Sequence, residues 1–311
     1  NWLTIEQAVE LNKKNPKPTL IDVYTNWCGW CKRMMQTTYA DPQAVGYINR
    51  NFYAVKFNAE TRDSIEFLGK TYFNTQSGKR ATHQLTYKFL PGSRTYPSTL
   101  FMYNNFQSSL LVPGYLDAKK IAPFLVFFTE NIYKTTSVED FRKYFDMAFA
   151  SKSELHSDTA PLKWHTFKEA MELNKTHPKK MLINVYSNAC VSCKVMSKTT
   201  FDHPVIAEYI NKNFYAVNFD AQTKDTIRYL NQALVNAGAE GGNYHQFALW
   251  ALKNNMTFPS VIVIGENSQL ITAIQQYMTP GYIEPILAFF LEDAYKTTSW
   301  EEFRKNFVSK F

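Results

Sequence analysis

No hydrophobic run in this sequence is long enough to cross a bilayer. The longest apolar stretches, such as IAPFLVFF at 121–128, fall far short of the ~20 residues a spanning helix needs, so the chain is not expected to be integral to a membrane. Cysteine is scarce: there are four in 311 residues, and all four lie in two C-x-x-C pairs. The scattered cysteines that staple small secreted domains are therefore missing. Zinc-finger spacing, RNP-like motifs and basic clusters interleaved with aromatics are also lacking, which sets nucleic acid aside as a partner. The sequence begins at Asn1 with neither an initiator Met nor a hydrophobic leader, as expected where a targeting segment has been removed or the chain trimmed.

What is present describes an ordinary globular protein. Apolar residues make up 45% and charged residues 20%, and 24 Phe with 19 Tyr promise aromatic-rich cores. The length suits about two domains. The net charge of +7 is uneven: residues 1–150 hold 18 Lys+Arg against 12 Asp+Glu, and residues 151–311 hold 16 against 15. A basic first half favours acidic partners or a membrane surface, although a solvated basic face is the plainer reading.

The chain is written twice. A shift of 162 places Trp2 on Trp164, Cys28 on Cys190, Cys31 on Cys193 and Pro97 on Pro259. Residues 2–58 and 164–220 align without a gap, with 30 of 57 positions identical. Further on, PGY at 113–115 is matched to PGY at 280–282, and YKTTSVEDFRKYF at 133–145 to YKTTSWEEFRKNF at 295–307. A period this long makes each copy a whole domain rather than a solenoid unit. The boundaries drawn on this basis are 1–146 for domain 1, a polar linker at 147–161, and 162–311 for domain 2.

Within a copy the patterning predicts helix, strand, helix, helix, strand, helix, hairpin, helix. Thr4 with Gln7, and Thr166 with Glu169, have capping-box spacing. TLIDVYT at 19–25 is a nearly continuous, β-branched apolar run, the mark of a strand buried on both faces. CKRMMQTT follows as a helix, and Asp41-Pro42 supplies the cap and first position of the next. FYAVKFN is the second strand. STLFMY and SSLLV flank a turn at Asn104–Asn105, and two helical stretches close the copy. The fold class is α/β, with a mixed central sheet flanked by helices in each copy.

The two pairs read WCGWC at 27–31 and ACVSC at 189–193. Structural zinc is a rival, but it usually needs four ligands, and these pairs stand 162 residues apart without histidines in ligand spacing. His83 and His245 recur in HQ dipeptides, which suits a helix-start or packing residue better than a ligand. No metal site is assigned. Redox chemistry accounts for the placement more fully. Each pair follows a buried strand and opens a helix, whose free amides and dipole stabilise a thiolate on the first cysteine. The second cysteine, one turn later, is placed to close a disulfide or resolve a mixed one.

WCGWCK after IDVYT resembles the thioredoxin superfamily. DPQAVGYINRNFYAVKFNAE and CVSCK are similar to the branch related to the C-terminal domain of the periplasmic membrane-spanning disulfide reductase. The resemblance implies two tandem thioredoxin-fold domains. It implies a cis-proline facing the active disulfide, at Pro97 within YPS and at Pro259 within FPS. It further implies a buried acid six residues before the first cysteine, as proton acceptor for the second. That position is Asp22 in copy one and Asn184 in copy two.

On this reading the protein is a thiol:disulfide oxidoreductase in which Cys28 and Cys190 attack, Cys31 and Cys193 resolve, and Asp22 assists proton removal from Cys31. Trp27, Trp30, Tyr96, Pro97, Phe258 and Pro259 shape the substrate grooves. Copy one is the more complete site. The resemblance implies no organic cofactor. It implies protein thiols or disulfides as partners, a membrane-bound or thioredoxin-type electron donor, and a periplasmic or otherwise exported setting, with a cytoplasmic one left open. The rival reading is a polypeptide-binding scaffold whose disulfides are structural.

Overall fold

The computed structural model describes residues 1–92, 94–150 and 160–309. The chain divides into two compact units, Asn1–Asn131 and Ile132–Phe311.

Unit 1 runs through α1 (Ile5–Lys14), β1 (Thr19–Tyr24), α2 (Gly29–Gln36), α3 (Pro42–Asn51), β2 (Tyr53–Asn58), β3 (Ile65–Phe67), β4 (Lys70–Tyr72), α4 (Gln84–Phe89), β5 (Ser98–Tyr103), β6 (Ser108–Pro113) and α5 (Ala118–Thr129). Its main sheet has the order β2-β1-β5-β6, with β1 parallel to β2 and antiparallel to β5. β1 is central and buried along nearly its whole length, which is why its sequence is a run rather than an alternation. Ile21, Val55, Phe57, Phe67, Phe89 and Leu100 form the core on one face.

Unit 2 opens with α6 (Val138–Phe149) and continues through β7 (Trp164–His165), α7 (Phe167–Thr176), β8 (Met181–Tyr186), α8 (Val191–Met196), α9 (Pro204–Asn213), β9 (Tyr215–Asp220), β10 (Ile227–Tyr229), β11 (Gln232–Leu234), α10 (Gln246–Ala251), β12 (Ser260–Ile264), β13 (Leu270–Ile274), α11 (Pro280–Leu291) and α12 (Trp300–Asn306). Its sheet order is β13-β12-β8-β9-β7. The core strands repeat unit 1, and a short parallel edge strand is added where unit 1 has only a bridge from Leu3 to Val55.

Local chemistry builds these elements as expected. Thr4 Oγ1 accepts from Gln7 N at 3.2 Å while Gln7 Oε1 accepts from Thr4 N at 2.9 Å, and Thr166 with Glu169 repeats the box. Asp41 caps α3 by accepting from Gln43 N and Ala44 N, with Pro42 in the first turn. His83 and His245 start α4 and α10, each ring Nδ1 accepting from the amide two residues on.

Four expectations change. The hairpin β3–β4, repeated as β10–β11, has three-residue strands too short for a periodic signal, and it turns on Leu68 and Gly69 at positive φ. The two PGY motifs are not equivalent. The frame of 162 holds without a gap into α5 and α11, so Tyr115 corresponds to Tyr277. PGY at 113–115 ends β6 with Gly114 at φ +92°, whereas PGY at 280–282 opens α11. The first of the two closing helices accordingly begins beyond the motif, at Ala118, capped by Asp117. Finally, the compact units part at 131/132 rather than 146, and α6 runs to Phe149, past the expected start of the linker. Residues 151–159 of that linker lie outside the described residues. α6 packs within unit 2 because its fully buried Phe141 meets Tyr277 edge-on at 5.4 Å and Lys198 donates to Ala148 O at 2.6 Å.

Candidate functional site

In both units a buried central strand runs into a short loop, and a cysteine then caps a helix. Cys28 holds extended dihedrals at the start of α2, and its Sγ accepts from Cys31 N at 3.0 Å. Cys190 repeats this at α8, accepting from Cys193 N at 3.0 Å. Each pair is closed as a disulfide with Cα atoms 5.3 Å apart, and all four cysteines are buried. When the pair is reduced, the first sulfur sits among the helix's unpaired amides, where negative charge is favoured. The Tyr96–Pro97 and Phe258–Pro259 peptide bonds are cis, immediately before β5 and β12.

Asp22 lies inside β1, 1% exposed, and neither carboxylate oxygen has a protein hydrogen-bond partner. Burial pushes its pKa up to about 7, against a smaller downward pull from the Lys56 ammonium. Register places Lys56 of β2 on one side of Asp22 and Thr99 of β5 on the other. A cavity of about 230 Å³ beside Cys31 is lined by Tyr24, Thr25, Lys32 and Lys56. In unit 2 the flanking positions hold Asn218 and Val261. Asn184 Nδ2 donates to Asn218 Oδ1 at 2.8 Å, and both line a cavity of about 230 Å³ next to Cys193. A buried acid beside a lysine has been replaced by a neutral amide pair.

A family model described as "Thioredoxin-like domain" matches residues 5–129. The model Thioredox_DsbH, described as "Protein of unknown function, DUF255", matches residues 148–273. The chain is a tandem of two thioredoxin-like domains. Similar solved structures include a DsbH oxidoreductase (16% identity, TM-score 0.32), covering 49% of this chain and 97% of its own. A thioredoxin-fold protein from Helicobacter pylori gives 16% identity and a TM-score of 0.33, covering 51% of this chain and 91% of its own. The oxidised C-terminal domain of Neisseria meningitidis DsbD gives 16% and 0.26, covering 44% and 100%. Among curated proteins, an uncharacterized Caenorhabditis elegans protein is 28% identical over 85 residues, 27% of this chain. The chain spans only 12% of that relative's length.

The first thioredoxin-like domain brings Trp27 against Tyr96, ring centroids 6.1 Å apart and edge-on. Trp30 turns instead to Tyr115, 5.5 Å away, whose hydroxyl lies 2.9 Å from Thr37 Oγ1. In the second domain Phe258 packs on Tyr244 at 5.9 Å, while Ala189 and Ser192 stand where the tryptophans were. The sequence did not single out Lys56 or Tyr115, and it placed the α6 helix at the end of the first copy rather than with unit 2. The paired change of Asp22 with Lys56 to Asn184 with Asn218 is visible once the copies are aligned, and it could have revealed Lys56. Tyr115 was hidden by the false PGY match.

Proposed function

We propose that the protein is a thiol:disulfide oxidoreductase acting on protein substrates, with the first thioredoxin-like domain as the complete site. The observation that carries this reading is the C-x-x-C disulfide at a helix N-terminus, directly after the strand that holds a buried, unpartnered carboxylate with its pKa pushed up to about 7. In the reducing direction the Cys28 thiolate attacks a substrate disulfide, forming a mixed disulfide and releasing one substrate thiolate. Cys31 passes its proton toward Asp22, and its thiolate attacks Cys28 Sγ. The Cys28–Cys31 disulfide forms and the second substrate thiolate leaves, so two electrons have moved to the substrate. The reverse sequence oxidises. Turnover needs a dithiol donor or a disulfide acceptor. The same exchange is proposed for Cys190 and Cys193 without the carboxylate, and an exported setting is proposed on the resemblance of the motifs.

Trapping tests this. Cys31→Ser should accumulate covalent protein adducts on Cys28 that dithiothreitol releases, and Cys28→Ser should accumulate almost none. Equal trapping by both variants overturns the division of roles. Failure of the wild type to reduce insulin with dithiothreitol favours the scaffold reading.

A further inference from the structure

Trp27 and Trp30 flank Cys28 and are 50% and 58% exposed, an unusual state for the largest apolar side chains. Each carries an arginine on its face. The Arg80 guanidinium lies 4.5 Å from the Trp27 ring centroid, and that of Arg33 lies 5.6 Å from Trp30. A third, Arg94, comes two residues before Tyr96; it donates to Tyr87 Oη at 3.1 Å and lies 5.1 Å over that ring. All three arginines are exposed. One acid joins them: Glu60 accepts from Trp27 Nε1 at 2.9 Å. A guanidinium stacked on an aromatic face keeps its edge N–H donors free for a carboxylate, and the ring limits the rotamer freedom lost on pairing.

The second domain discards this equipment as a set. At the shift of 162, Arg33, Arg80 and Arg94 become Val195, Gly242 and Met256, and Glu60 becomes Gln222. The disulfide, the cis-proline, the capping box and the histidine cap all survive the same comparison. The rim is therefore not something the fold requires.

We infer that the Trp27–Trp30 rim with Arg33, Arg80 and Arg94 is a docking surface for acidic, cysteine-bearing polypeptide segments, with Asp or Glu close to the exchanging cysteine. This names the substrate class of the site proposed above and rests on that reading. The tryptophans take the apolar part of the extended segment, and the arginines take its carboxylates. Lys32 and Lys56, lining the cavity beside Cys31, extend the positive field inward.

Matched fluorescent peptides test it, with Glu, Gln or Lys flanking a serine in place of cysteine. Binding to the oxidised full-length chain is followed by anisotropy at low and high salt. The Glu peptide should bind about fivefold to tenfold more tightly than the Lys peptide at low salt, the order expected of two or three exposed ion pairs, and the gap should narrow as salt screens them. The Arg33→Gln, Arg80→Gln, Arg94→Gln variant should lose most of the gap. Equal binding of Glu and Lys peptides, or an undiminished gap in the triple variant, overturns the inference. Exchange with hydroxyethyl disulfide, which carries no charge, reads the redox function separately. If that exchange fails, the redox reading falls, while the binding series still decides whether the rim selects acidic segments.

Discussion

The two copies place a C-x-x-C disulfide on the same strand–helix junction, but they surround it differently. In the first, the second cysteine shares a cavity with Lys56, the register partner of the buried Asp22, and the neighbouring tryptophans and arginines face solvent. In the second, an amide pair replaces the acid and lysine. Tyr277, the counterpart of the half-buried Tyr115, is sealed at 2% exposure against Phe141 of α6. Duplication thus preserved the scaffold that closes a disulfide and let the buried ionisable group and the exposed aromatic and basic side chains diverge. The scaffold depends on backbone geometry and core packing, which many substitutions leave intact. Proton transfer and docking depend on single ionisable or exposed groups, which one substitution removes.

The largest effect expected is on pH-dependent stability. Asp22 has a raised pKa in the folded state, so the unfolded chain loses that proton first as pH rises. Stability should therefore fall between about pH 4 and pH 7, by on the order of 4 kcal/mol for a shift from 3.8 to about 7. Asp22→Asn should abolish this slope in the oxidised protein, as read by urea unfolding across that range. Asn184→Asp should introduce one in the second domain. An unchanged slope in Asp22→Asn would mean that other groups set it.

Next comes the contact that buries Tyr277 in the second unit. Phe141→Ala removes a fully buried ring and should cost roughly 3 kcal/mol, at the lower end for such a truncation because an outer helix can resettle. The loss should appear in the urea transition of the second domain. A loss confined to the first domain would show that α6 does not belong to the second.

The kinetic contrast is smaller in energy and sharper in meaning. Asp22→Asn should slow mixed-disulfide release at Cys28 by about tenfold to a hundredfold, within or just below the range for a lost general base. It should also flatten the rise in rate through pH 7. Stopped-flow release with Cys190 and Cys193 changed to serine reads this directly, and an unaltered pH profile would reduce Asp22 to a structural role. The smallest effect concerns what the copies share: Thr4→Ala and Thr166→Ala should each cost about 1 kcal/mol, equal within error because both capping boxes have the same bonds.

Much of this was legible in the residues themselves. The repeat, the capping boxes, the buried strand TLIDVYT, the helix opening at Cys28 and the prolines before β5 and β12 are local patterns, and local patterns follow from a few neighbouring side chains and dihedrals. The Asp22-to-Asn184 change was equally plain. The tertiary structure alone decided that Lys56 and Thr99 flank Asp22 in register, because strand pairing joins residues far apart in sequence. It also decided that α6 belongs with unit 2. An amphipathic helix carries an apolar face but no address, and only the shape of the surface that receives Phe141 determines where that face is buried. The arginine over Trp27 followed the same rule, whereas Arg33 reaches Trp30 from one turn further along the same helix. Arg80 lies 53 residues from Trp27, and only folding brings its charge onto that ring.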